Sequence, residues 1–96
     1  MNPTEYEARC FLCGHEAIYK ETDYGNRRYY SCSNPICGEY EISRTAMHRL
    51  ENAEEFKEEA IPKANKCRDT EEILEIIATS PTEITATFKP RSEGPG

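Results

Sequence analysis

The sequence predicts a small α+β protein that begins with a three-stranded antiparallel sheet and continues with two or three helices. Three observations lead to this fold class. Four cysteines form two closely spaced pairs in the first half, and polar and apolar residues alternate in short segments around them. After residue 45, apolar residues recur at helical spacing. We therefore expect the sheet over residues 1–45, a helical annex with at most one short returning strand over residues 46–88, and a disordered tail over residues 89–96.

The two cysteine pairs have the spacing of metal ligands. Cys10 and Cys13 are followed, after eighteen residues, by Cys32 and Cys37. Structural zinc sites take four cysteine ligands in such short paired spacings. Only 36% of the 96 residues are hydrophobic, so the core is thin and a metal ion would hold the sheet together. The first half is thus predicted to be a zinc ribbon that binds one structural zinc ion.

Each cysteine pair is followed by glycine, at Gly14 and Gly38. A turn that directs backbone N–H groups toward a thiolate favours a residue that tolerates positive φ, and glycine does so without steric cost. Two other interpretations of the cysteines remain, a disulfide framework and a redox pair. Iron in place of zinc is a third alternative, since the ligand type does not exclude it.

The sequence also indicates the compartment of the protein and whether it associates with a membrane. The first residues lack the basic start and apolar core of a signal peptide, and the apolar runs are too short for a transmembrane helix. A cytoplasmic location is therefore expected, with no membrane partner. A reducing compartment favours metal binding over disulfides.

The first half is predicted to contain a loose leader and three strands, at residues 1–9, 17–22, 27–32 and 39–43. Tyr6 in the leader is expected to pack on the sheet. Residues 23–26 form a turn, because Asp, Gly and Asn favour tight-turn backbone angles. Tyr40 and Ile42 alternate with polar residues in the third strand and are expected to face the core.

The second half is predicted to be mainly helical. Ser43 or Thr45 can cap a first helix, whose apolar positions are Ala46, Met47, Leu50, Ala53 and Phe56. Pro62 should end or kink it. Asp69 and Glu72 resemble a capping box for a second helix, with the apolar face Ile73, Leu74, Ile76 and Ile77. Ser80 and Pro81 stop that helix, and residues 82–88 form the returning strand.

Charge limits the partners that the chain can bind. The net charge is −6, and residues 51–96 alone carry eleven acidic and six basic residues. Nucleic-acid binders usually present a basic face, so contact with DNA would need a local patch. Basic and aromatic residues that could form such a patch are Arg27, Arg28, Tyr29, Tyr30 and Arg44.

An acidic run is the candidate surface for a protein partner. Glu54 and Glu55 have Glu58 and Glu59 four residues further on, which costs a little repulsion on a helix. The alternative is an ordinary solvated helix face. The mild repulsion favours a basic protein partner for these four residues.

We find no set of residues that predicts catalysis. There is no Ser-His-Asp set and no phosphate-binding glycine loop, and a zinc ion with four cysteine ligands has no open position to activate water. His15 is interpreted as a surface residue beside the cysteines. Cys67 has no paired cysteine and is interpreted as a partly buried small apolar residue, although nearby basic residues could make it reactive.

The segment from Tyr30 to Gly38, with an aromatic residue two positions before a Cys-x-Asn-x2-Cys pair, resembles the Ogr/Delta family of phage late-gene transcription activators. That resemblance covers about residues 8–45 and implies a zinc ribbon that contacts DNA or RNA polymerase, with the four cysteines of the two pairs as ligands. The segment from Cys37 to Leu50 also resembles the N-terminal four-cysteine zinc ribbons of many bacterial proteins.

The sequence thus predicts a non-enzymatic zinc-binding interaction module, a prokaryotic or phage regulatory protein that acts through protein contacts. Two alternatives remain: a sequence-specific DNA-binding transcription regulator that uses the ribbon, and a redox or metal-responsive thiol protein. The oligomeric state is left open by the sequence.

Overall fold

The computed structural model describes residues 5–22, 25–68, 70–80 and 82–90, which form one six-stranded mixed sheet and two helices. The strands are β1 (Glu5–Arg9), β2 (Glu16–Thr22), β3 (Arg27–Cys32), β4 (Glu39–Ser43), β5 (Glu72–Ser80) and β6 (Glu83–Pro90). The helices are α1 (Arg44–Leu50) and α2 (Glu54–Lys66). The predicted fold class, a three-stranded ribbon followed by two or three helices, is therefore wrong.

The central strands of the first half lie where the sequence predicts them. β2, β3 and β4 form an antiparallel meander, in which Tyr30 pairs with both Tyr19 and Tyr40. The described part of the predicted leader, residues 5–9, is instead a strand: β1 pairs with β2 along its whole length, from Glu5 opposite Lys20 to Arg9 opposite Glu16. Tyr6 and Ala8 alternate with charged residues in β1, so the sequence carries a strand pattern that the leader prediction overlooked.

The predicted second helix is strand β5. It lies parallel to β4, with Leu74 opposite Tyr40 and Ile76 opposite Ile42, and antiparallel to β6. A short run of apolar residues fits either a buried helix or a buried strand, and the β-branched isoleucines favour the strand once both neighbours are present. Asp69, the proposed capping residue, lies outside the described residues.

The predicted first helix is two helices. The Ser43 side chain caps α1 and accepts a hydrogen bond from the Ala46 N–H at 3.1 Å, as expected. The chain then turns after Leu50, whose carbonyl accepts from the Ala53 N–H at 3.0 Å, and α2 begins at Glu54. Pro62 lies inside α2, which continues to Lys66, so Pro62 does not end it. The proline is exposed, and its side of the helix faces solvent.

The helices connect β4 to β5 and cover one face of the sheet. Such a crossover is what a parallel strand pair requires. Tyr40 and Ile42 are fully buried, as predicted, together with Leu74 and Ile76 from β5. Small residues of the helices, Ala46, Ala60 and Ala64, complete the core and allow the helices to approach the sheet closely.

A row of tyrosine rings crosses the sheet on the helix-covered side. Tyr6, Tyr19, Tyr30 and Tyr40 come from β1 to β4, and successive ring centroids lie 5.1, 5.3 and 5.1 Å apart. The Tyr6 ring therefore packs on the sheet as predicted. This row leads from an exposed edge strand to the cysteine cluster, because Tyr40 contacts Cys10.

The opposite face of the sheet carries an ion-pair cluster. Glu41 and Glu75 on the two parallel strands are bridged by Arg27 from β3 and Lys89 from β6. Burial by itself raises the pKa of Glu41, but hydrogen bonds from Lys89 and Thr22 and the nearby positive charges outweigh it and lower that pKa. The cluster ties the first and second halves of the chain across β4 and β5. Lys89 and Pro90 thus belong to β6, whereas the rest of the predicted tail lies outside the described residues.

Candidate metal centre

The two cysteine pairs meet at one end of the sheet. Cys10 and Cys13 lie in the turn between β1 and β2, and Cys32 and Cys37 lie at the end of β3 and in the loop before β4. Their four Sγ atoms all lie within 4.8 Å of one another. Antiparallel pairing of β2 with β3 places the two turns side by side, because Ala17 lies opposite Cys32. The four cysteines are therefore positioned to hold one metal ion.

The distances between the sulfur atoms fit a tetrahedral thiolate site. A zinc ion with four sulfurs at about 2.3 Å holds them about 3.8 Å apart. The Sγ atoms of Cys10 and Cys37 lie 3.8 Å apart, and those of Cys13 and Cys32 lie 3.4 Å apart. All four cysteines are free rather than joined as disulfides. Three are buried and Cys13 is half-buried, so the cluster is largely closed to solvent.

Burial and hydrogen bonds between the sulfurs shift the pKa values of the clustered cysteines in opposite directions. A hydrogen bond from the Cys37 thiol lowers the pKa of Cys10 to about 4, and the Tyr40 hydroxyl acts in the same direction against burial. The same hydrogen bond raises the pKa of Cys37, and burial raises the pKa of Cys32 to about 12. Without a metal, the buried sulfurs cannot all be thiolates at neutral pH. A bound cation would stabilise four thiolates and release their protons.

The two glycines after the cysteine pairs have different roles. Gly14 has φ +80°, as predicted for a turn residue behind a thiolate pair. Gly38 does not have a positive φ, so the prediction was wrong there. Instead, α2 approaches it closely: a Cβ on Gly38 would lie 2.2 Å from the Ala64 carbonyl oxygen. Gly38 is needed because the helix backbone packs against the second cysteine turn.

The last turn of α2 and the residues just after it hold the second cysteine turn through its backbone carbonyls. Arg68 donates to the carbonyl oxygens of Cys37 at 2.6 Å, Cys32 at 3.0 Å and Asn34 at 2.8 Å. Asn65 donates to the carbonyl oxygens of Pro35 and Cys37, both at 2.8 Å. Neither residue was predictable from the sequence, because no local pattern connects them with a turn about thirty positions earlier.

The Tyr40 hydroxyl links the sheet to the first cysteine turn. Its oxygen accepts from the Phe11 N–H at 2.9 Å and lies 3.2 Å from Cys10 Sγ. Since the oxygen already accepts one hydrogen bond, its own proton is available to the Cys10 sulfur. Hydrogen bonds to metal-bound thiolates orient them and moderate their charge.

Replacing Tyr40 with phenylalanine is expected to weaken metal binding by about 10-fold to 100-fold, because the ring stays in place while both hydrogen bonds are lost. Competition with a chromogenic chelator measures the affinity, and the charge-transfer absorption of the cobalt-substituted protein reports the change at the sulfur. Tyr19→Phe is the matched control, because its ring stacks in the same row between those of Tyr6 and Tyr30. Equal affinities for both variants would contradict the role of the hydroxyl.

The candidate DNA-contact residues do not form one continuous surface. Strand alternation directs Arg27 and Tyr29 to one face of the sheet and Arg28 and Tyr30 to the other. Arg27 is engaged with Glu41 and Glu75. Arg28 stacks over the Tyr19 ring at 4.3 Å, and Tyr30 is only 2% exposed. Arg27, Arg28 and Arg44 do line a common shallow cleft beside the β2–β3 turn. DNA contact stays a prediction.

The remaining candidates are distributed over the surface and the core. Glu54, Glu55, Glu58 and Glu59 are all exposed on α2, on the side away from its buried alanines. His15 is exposed and pairs with the Asn34 side chain, outside the cysteine cluster. Cys67 is more deeply buried than predicted, with 1% of its surface exposed.

Comparison with known proteins gives no relative: no protein-family model, curated protein or solved structure matches the chain. No family match therefore supports the resemblance to the Ogr/Delta activators. The structure supports only the four-cysteine metal site that the resemblance implies. None of the described helices has both the length and the apolar character needed to cross a membrane.

Proposed function

We propose that this chain is a non-enzymatic interaction module whose sheet is held together by one structural zinc ion. The observation that carries the proposal is the meeting of four Sγ atoms within 4.8 Å at the end of the sheet. Four thiolates fill the coordination sphere of zinc and leave no position for a substrate or an activated water. Such an ion contributes to folding rather than to catalysis.

Zinc is proposed over iron on the closed four-cysteine arrangement alone, because burial and the hydrogen bonds from Tyr40, Asn65 and Arg68 would support an iron site with four thiolates equally well. A closed tetrahedral four-cysteine site is the common arrangement of structural zinc. Tyr40 lies on β4, whereas Asn65 and Arg68 lie at and just after the end of α2. A metal ion at the cluster would therefore stabilise both halves of the chain. We therefore propose a structural role for the metal.

The metal experiment is elemental analysis of the natively purified chain, followed by chelation with circular dichroism and proton NMR as readouts. We expect one zinc per chain and the loss of dispersed NMR signals when the metal is removed, because so small a core depends on the bound metal for its stability. Serine substitution of Cys37, which is fully buried, should abolish stoichiometric binding. The matched control is Cys67→Ser, because Cys67 is buried outside the cluster.

Other outcomes of this experiment would change the metal, its structural role or the proposed function. One iron per chain, with visible charge-transfer absorption, would replace zinc in the proposal. A metal-free chain that remains folded after chelation would contradict a structural metal. Reversible oxidation of the cluster with release of the metal at physiological peroxide levels would favour a metal-responsive thiol protein.

The interaction partner is proposed to be a basic protein surface, contacted by the four exposed glutamates of α2, as part of a regulatory role in a prokaryote or phage. These side chains project from the molecule and carry a local negative charge without counter-ions among the described ion pairs. Complementary charge increases association rates and gives salt dependence.

The partner proposal is tested with a quadruple variant in which Glu54, Glu55, Glu58 and Glu59 are replaced by glutamine. Partner binding by the metal-loaded chain should weaken with salt and be lost in this variant. The control replaces exposed glutamates elsewhere, Glu7, Glu16, Glu71 and Glu83, and so makes the same change in net charge. Equal losses in both variants would show a general charge effect and contradict a surface on α2.

A further inference from the structure

We propose that the outer edge of β6 pairs with the β6 edge of a second copy, so that the chain forms a symmetric dimer with a continuous sheet. β6 is the last strand of the sheet and pairs with β5 on one side only. Its other side presents a row of backbone N–H and C=O groups that no strand of the described chain pairs with. Such an edge is a template for another strand.

Natural proteins usually protect sheet edges with charges, and the two edges of this sheet differ in that respect. β1 has the sequence EYEAR, with charges at three of its five positions. β6 has the sequence EITATFKP, and the five residues from Ile84 to Phe88 carry no charge. Threonine, isoleucine and phenylalanine also favour strand pairing. β6 is therefore the edge that is open to pairing.

The sequence of β6 is complementary to itself in one antiparallel register. When two copies are centred on Ala86, Thr85 lies opposite Thr87 of the second copy and Ile84 lies opposite its Phe88. Glu83 then lies opposite Lys89 of the second copy, whose ammonium also pairs with Glu41 and Glu75 of its own chain. Each cross-strand pair is apolar with apolar, threonine with threonine, or opposite in charge, and all three kinds stabilise a sheet. No like charges meet in this register.

The same register covers apolar surface that a single chain leaves exposed. Phe88 and Ala86 lie on the helix-covered side of the sheet, opposite the core residues Leu74 and Ile76 on β5. Phe88 nevertheless remains 45% exposed, since it extends beyond the helices at the edge. In the dimer its ring would pack beside Ile84 of the second copy, on both sides of the symmetry axis.

β1 does not offer an equivalent interface. In a full-length antiparallel pair of β1 strands the central residue, Glu7, would face itself. Directly opposed like charges destabilise a strand pair. Symmetric pairing through β6 therefore gives a closed dimer rather than an extended fibre.

The interface is small compared with that of a permanent dimer, because it consists of one strand pair and two apolar contacts. We therefore expect an association that depends on concentration. In sedimentation equilibrium of the metal-loaded full chain, the average mass should rise from 11.0 kDa toward twice that value as the concentration increases from micromolar to several hundred micromolar.

Two double variants test the register. Thr85 and Thr87 lie on the face away from the helices, so substitutions there leave the core intact. Thr85→Lys with Thr87→Lys places like charges opposite each other across the axis and should shift dimerisation to at least 10-fold higher concentration. Thr85→Glu with Thr87→Lys places opposite charges there and should retain the dimer. Both variants carry Thr87→Lys, which places a lysine opposite Glu75 of the same chain. The effect of that lysine within one chain is therefore the same in both variants.

Circular dichroism and metal content must be the same in both variants and the parent chain. A parent chain that stays at 11.0 kDa over the whole range would overturn the proposal, including the case in which β6 instead accepts a strand from another protein. A dimer that persists equally in both variants would place the interface elsewhere and also overturn it. Dissociation of both variants to the same extent would exclude the register centred on Ala86.

Discussion

Replacing Gly38 with alanine is expected to destabilise the protein by about 3 kcal/mol, which is the upper part of the range for overpacked sites. The new Cβ would lie 2.2 Å from the carbonyl oxygen and 2.8 Å from the carbonyl carbon of Ala64. Both atoms belong to the backbone of α2, so no side chain can rotate away. The helix must shift, and the contacts of its end with the second cysteine turn would be weakened.

Thermal unfolding of the metal-loaded protein measures this effect, with an expected fall in Tm on the order of 15 °C for a domain of this size. Gly14→Ala is the matched control. Gly14 has φ +80° but nothing within 4 Å of an added Cβ, so only the backbone strain of about 1–2 kcal/mol applies. If the two substitutions had equal effects, the close approach of α2 would not be the reason for glycine at position 38.

Replacing Arg68 with alanine is expected to cost about 3 kcal/mol in stability and about 10-fold to 100-fold in metal affinity. The guanidinium donates to three carbonyl oxygens of the second cysteine turn, those of Cys32, Asn34 and Cys37. Without it, those carbonyls lose charged hydrogen bonds and the turn is no longer held in the geometry that directs two thiolates toward the metal.

Chelator competition and thermal unfolding check this prediction, and two variants serve as controls. Arg68→Lys keeps the charge but cannot span three acceptors with one ammonium, so it should recover only part of the loss. Arg49→Ala also removes one positive charge, but Arg49 donates an exposed hydrogen bond to the Ser80 carbonyl and not to the cysteine turn. Loss of metal affinity no greater for Arg68→Ala than for Arg49→Ala would show that Arg68 does not hold the turn.

The cysteine pairs and the strands between them were predictable because their signals are local. A Cys-x2-Cys turn and alternating apolar residues act over a few positions, and β2, β3 and β4 lie within one residue of the predicted bounds. The Ser43 cap of α1 is local in the same way. For these elements, neighbouring residues along the chain are also the neighbours in space.

β5 was not predictable because its identity depends on pairing with β4, which is distant in sequence, as well as with the adjacent β6. Ile73, Leu74, Ile76 and Ile77 form an apolar run that suits a buried helix as well as a strand. Pairing with β4 on one side and β6 on the other decides between the two, since it satisfies the backbone of β5 while burying Leu74 and Ile76 completely. β1 was missed although its signal is local, because Tyr6 and Ala8 alternate with the charged residues of EYEAR and the leader prediction overlooked that alternation.

The sequence by itself determined the four cysteines as metal-ligand candidates, the three-stranded meander that brings them together, and the acidic character of the second half. Tertiary structure alone decided that β5 and β6 extend the meander into a six-stranded sheet, that Gly38 must be glycine because α2 packs on it, and that Arg68 holds the second cysteine turn. The physical reason is the same in each case. Ligand spacing and alternation are properties of adjacent residues, whereas the approach of α2 to Gly38, the pairing of β4 with β5 and the carbonyl contacts of Arg68 join residues about thirty positions apart.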